Sequence, residues 1–150
     1  MRLLIFILCF IQFLFAENLI ELKGLRTYSI KSEVLPPIIV FNDFDQNGIE
    51  DTSNDFIVIE FDLKSTLKPN LQIIFQFCDK NWKPLENLFL QNFGKDRYYN
   101  LQFRTAPNGV KSYNYTFKQI FPDERRQITF PFSGKYKYLI TEFGNDKKVY

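Results

Sequence analysis

Histidine is missing from this 150-residue chain. Its absence removes Ser–His and Cys–His nucleophilic pairs and every histidine-containing zinc site at once. Alanine is nearly missing: Ala16 and Ala106 are the only two, and a chain so poor in the strongest helix former is a poor source of long helices. Cysteine occurs only at Cys9 and Cys78, and tryptophan only at Trp82. The six glycines are spread among turns, so there is no Gly-rich loop to cradle phosphate. Neither sign of charge dominates, with 19 basic and 17 acidic side chains. Only Arg125-Arg126 and Lys147-Lys148 form basic doublets, far short of the concentrated stripe a nucleic-acid surface needs. Carboxylate pairs can support glycoside hydrolysis, but no Asp or Glu here has a setting that predicts a raised pKa. The expectation is a protein without catalysis, nucleic-acid partner or small-molecule substrate.

What is present is apolar and aromatic. Hydrophobic residues make up 45% of the chain and aromatics 18%, with eighteen Phe and eight Tyr. That is ample for a core, too much for disorder, and weighted toward strands. The chain opens like an export signal: Arg2, an apolar run from Leu3 to Phe15, then Ala16 before a cut ahead of Glu17. Thirteen residues that include Gln12 are too short to span a bilayer comfortably. Residues 1–16 are therefore read as a signal peptide and 17–150 as a single domain, periplasmic first and at the extracellular surface second. Cleavage leaves Cys78 as the lone cysteine, so no internal disulfide can form. A small semi-buried residue at a strand end is its expected role.

Alternation sets out the strands. Ile57, Ile59, Phe61 and Leu63 share one face of Phe56–Leu63, and Leu71, Ile73, Phe75 and Phe77 share one face of the next strand. Further strands are expected at Thr27–Lys31, Pro37–Phe41, Tyr99–Thr105, Tyr113–Ile120, Gln127–Phe130 and Lys135–Phe143. About eight short strands with regular turn signals predict an all-β fold, an antiparallel β-sandwich of immunoglobulin or fibronectin type. One interruption stands out. After Cys78 comes a polar corner, Asp79-Lys80-Asn81, then Trp82, then Pro84 opening a segment with Leu85, Leu88 and Phe89 at helical spacing. This predicts one short helical crossing segment, pinned by a buried tryptophan ring.

Two features bear on binding. Asp43, Asp45, Asn47 and Asp51, with Gly48, match the first nine positions of a calcium loop. Asn54 stands where a bidentate Glu belongs, so either a weak calcium site or a plain polar turn accounts for these letters. No other cofactor is expected. Trp82 has two readings as well, a loop-pinning ring or an interaction platform of the sugar-stacking kind. The Lys135-Tyr136-Lys137-Tyr138 run mixes bases and aromatics, but period two separates them onto opposite faces.

Phe77-Cys78-Asp79-Lys80-Asn81-Trp82, followed by Leu85 and Phe89-Leu90, resembles the Cys-acidic-x-x-Trp motif of the type IX secretion system plug protein, N-terminal domain. Pro36-Pro37-Ile38-Ile39, Tyr113-Asn114-Tyr115, Phe121-Pro122 and Phe132-Ser133-Gly134-Lys135-Tyr136 extend the resemblance in order, from Tyr28 to the C-terminus. Phe77 stands where the family often has His, and Lys135 where it has Asn. Members of that family continue into further β-structure, which makes this chain comparable to a fragment or an N-terminal domain. The resemblance implies a non-enzymatic periplasmic protein of Bacteroidota, peripheral to the outer membrane. It would dock on the outer-membrane translocon barrel and help close it.

Overall fold

A computed structural model describes residues 19–40, 55–85 and 94–150. The described residues are all-β, and their eight strands form two antiparallel sheets packed as a β-sandwich, as the alternation predicts. The first sheet has the order β1-β2-β6-β5, from Glu21–Ser29, Ile57–Lys64, Tyr115–Phe121 and Arg104–Thr105. The second has the order β4-β3-β7-β8, from Arg97–Tyr98, Leu71–Cys78, Lys135–Glu142 and Asn145–Val149. Among the described residues there is no helix. The expected helical crossing segment falls mainly on residues 86–93, outside those described.

The inward faces are the ones the sequence marks. Ile59, Phe61 and Leu63 have no exposed surface, and Leu71 and Ile73 are equally enclosed. Sheet meets sheet through aromatic rings: Phe75 of β3 lies 5.1 Å from Phe121 of β6, and Tyr98 of β4 lies 5.1 Å from the same ring at 87°. Phe61 and Phe117, paired across β2 and β6, sit 4.9 Å apart. The edge-to-face contacts of Phe121 with Phe75 and Tyr98 each add about 0.5–1.5 kcal/mol beyond the area they bury.

Several expected strands differ in extent. β1 begins six residues earlier than its apolar pattern suggests, because Gly24 at φ +58° makes a bulge that lets Glu21–Lys23 pair with β2. Tyr99–Thr105 is not one strand. Arg97–Tyr98 pairs with β3 in one sheet, and Arg104–Thr105 pairs with β6 in the other. Asn100, at φ +56°, turns the chain between them. Of the expected strand Pro37–Phe41, the described residues 37–40 contribute a single bridge from Val40 to Asp55, since Pro36 and Pro37 withhold N–H groups a ladder needs. Gln127–Phe130 is held by Asp123, whose carboxylate accepts from Gln127 N and Ile128 N, and not by a sheet. β8 was not expected, because Asn-Asp-Lys-Lys-Val carries no apolar alternation. It forms as a hairpin from β7.

Candidate functional site

The end of β3 and the start of β7 lie side by side, with Cys78 opposite Lys135. There the chain makes a tight corner. The Asp79 carboxylate accepts from Asn81 N at 2.8 Å and Lys83 N at 2.9 Å, the side-chain turn that Asp favours. Trp82 N donates to Asp79 O, Asp79 N to Lys83 O and Leu85 N to Phe77 O, closing the loop on the strand. Cys78, free and buried, packs at the strand end as expected.

Trp82 does not have the environment the sequence suggested. The residue is 55% exposed, so it is not the buried pin of the corner. The pinning is done by the backbone bonds and the Asp79 carboxylate. Trp82 itself sits at φ +65°, a left-handed conformation that costs an L-residue about 1–2 kcal/mol relative to glycine. The Lys135 ammonium lies 5.0 Å from the ring centroid and donates to Lys80 O at 2.9 Å, so one lysine ties the ring and loop to β7.

Beneath this corner is an aromatic wall. Phe77 contacts Tyr136 at 5.1 Å and Phe132 at 5.8 Å, and Phe130 meets Tyr136 edge-on at 5.0 Å. The Tyr136 hydroxyl donates to Phe132 O at 3.1 Å and fixes the turn into β7. Gly134, at φ +155°, allows that turn to pass over Phe77; a Cβ there would lie 2.5 Å from the ring. Burial pushes the Tyr136 and Tyr138 hydroxyls above the usual tyrosine range, and Tyr138 is bonded to Thr27 of the opposite sheet at 2.6 Å.

An open groove of about 840 Å³ runs across this end of the sandwich. Ile57, Phe75 and Tyr138 form its floor between the sheets. Pro37–Val40 makes one wall, and Phe130–Lys135 with Trp82 the other. Ile38 is 55% exposed on the rim. Three stretches far apart in sequence thus converge: the prolines and isoleucines, the corner tryptophan, and the Phe132–Tyr136 turn. Sequence reading singled out Trp82 but missed the groove. Its two walls are irregular backbone, with no period to mark them.

Asp43, Asp45, Asn47 and Asp51 lie outside the described residues, so the structure does not place the calcium loop. Among the described residues no three His, Cys, Asp or Glu side chains gather as a metal site. On the outer face of the first sheet, Glu60 gathers Tyr28, Arg26 and Lys118 around its carboxylate. Desolvation raises its pKa, but those three partners outweigh it and hold the group below the ordinary carboxylate range. The geometry supports binding through an apolar, aromatic surface. Comparison with models of known protein families, with curated proteins and with solved structures returns no match.

Proposed function

We propose that this chain is a non-enzymatic, periplasmic interaction domain of the type IX secretion machinery, which docks on the outer-membrane translocon barrel through the groove end of the sandwich and helps close it. One observation carries the reading. Three of the five segments of the plug-protein resemblance supply lining residues, Pro37–Ile39, Trp82 and Phe132–Tyr136, to a single apolar groove. Residues needed only for folding are found throughout a core, whereas these are gathered at one end with Trp82, Ile38 and Phe132 open to solvent. Exposed apolar clusters of this kind mark interaction surfaces.

Affinity purification of the tagged chain from outer membranes tests the reading. A large barrel protein should be recovered with the wild type and lost with Trp82→Gly. Recovery of abundant unrelated proteins alone would sink it. A second reading, an exported carbohydrate- or surface-binding module, draws on the exposure of Trp82. It is the weaker one, because Lys135 already occupies a face of that ring. Glycan binding that disappears in Trp82→Gly would favour it.

A further inference from the structure

Resting on the docking role proposed above, we infer that the groove takes an extended apolar peptide segment of the partner that carries one acidic side chain, held at Lys135. The charge is the first argument. Among the described residues Lys135 is the only charged one lining the groove, and no carboxylate lines it. Its ammonium has three donors. One goes to Lys80 O and one side faces the Trp82 ring, which leaves a donor at the rim for an incoming carboxylate.

The shape is the second. Val40 bonds to Asp55 through both its N–H and its C=O. In extended chain, alternate residues turn their peptide groups to opposite sides, so those of Ile39 face away from Asp55. Among the described residues the N–H and C=O of Ile39 have no partner, and Ile39 lines the groove. A peptide laid along this wall gains backbone bonds to Ile39 while its alternate side chains enter the apolar floor, the mode of strand addition. About 840 Å³ accommodates a few side chains and not a folded element.

Trp82 is the only tryptophan in the chain, so its emission reports groove occupancy directly. Random heptapeptides displayed on phage are selected on the wild type and counter-selected on Trp82→Gly. The best sequence is then titrated against the intact protein by Trp82 fluorescence. Selected peptides should combine aliphatic or aromatic residues with Asp or Glu and shift the emission to the blue. Lys135→Gln should weaken them roughly two- to fivefold, the range for a partly exposed ion pair. Replacing the peptide's acid by its amide should cost the same, and the two changes together should cost no more than either.

Selection of apolar peptides without acids, or of basic ones, overturns the inference. So does an emission shift produced by oleate with no peptide selected, or one that follows protein concentration alone. If barrel recovery persists when the selected peptide is in excess, this inference fails and the docking role stands. If acidic-apolar peptides are selected but no barrel is recovered, the docking role fails and the groove assignment stands.

Discussion

Trp82 combines two costs that folding alone does not explain, a left-handed backbone and an exposed ring. Strain of this kind persists where a side chain is needed in a fixed position. Trp82→Gly should therefore leave thermal stability within about 1 kcal/mol of the wild type, since glycine relieves the backbone while half a ring of burial is lost. A buried pin would instead lose about 3–5 kcal/mol on truncation, so a melting curve separates the two. Gly134 is the opposite case. Gly134→Ala places a methyl into the Phe77 ring and an L-residue at φ +155°, and should cost about 2–3 kcal/mol, the upper end for overpacking, readable by denaturant melts. Glu60 gives the pH dependence. A carboxylate held below its ordinary pKa contributes stability that is fully present above the unfolded value of about 4 and is lost as pH falls through the folded value. Asp146, hydrogen-bonded to Arg97 and Gln72, is held low in the same way. The melting temperature should begin to fall as pH drops toward the unfolded carboxylate value of about 4 and go on falling through the lower folded values, and Glu60→Gln should flatten part of that fall.

Strands that alternate strictly and cross the middle of a sheet could be read directly from the chain. Ile57, Ile59, Phe61 and Leu63 of one strand and Leu71, Ile73 and Phe75 of the next are buried in the core as expected, whereas Phe77 at the strand's end is half-buried against Phe132 and Tyr136. The register holds because a one-residue slip would expose these core residues. Phe61→Ala should accordingly cost about 3–5 kcal/mol, measured by chemical unfolding. Elements that depend on partners were not legible. β8 is recruited by its hairpin with β7 despite two lysines. Tyr99–Thr105 looks continuous in sequence, yet only Arg104–Thr105 of it is strand, and the strand just before it, Arg97–Tyr98, belongs to the other sheet; Leu101 is buried in the core between them and Phe103 packs against it. For the site, the corner and Trp82 could be picked out from composition. The groove could not, since Pro37–Val40 and Phe130–Gly134 acquire meaning only when the sandwich brings them together. The acidic loop makes a separate prediction. If Asp43, Asp45, Asn47 and Asp51 hold calcium, a concentration ten times the dissociation constant adds about 1.4 kcal/mol. A calorimetric shift with calcium that is absent with magnesium and lost in Asp45→Ala would show it.

At the scale of the molecule the two ends of the sandwich differ. The end where β2 begins and β3 finishes carries the groove, the exposed Ile38, Trp82 and Phe132, and the Lys135 ammonium, which pairs with no carboxylate among the described residues. The opposite end, where β2 leads into β3, also exposes apolar side chains, Leu67 and Phe143, but these lie away from the groove and its lysine. A domain that docks end-on therefore touches its partner at Ile38 and not at Leu67. Site-specific photocrosslinking in outer membranes reads this contact, with benzoylphenylalanine placed at Ile38 in one variant and at Leu67 in another. Docking through the groove predicts a high-mass adduct with a single outer-membrane barrel from position 38 and none from position 67. Equal adducts from both positions, or none from position 38, would contradict it.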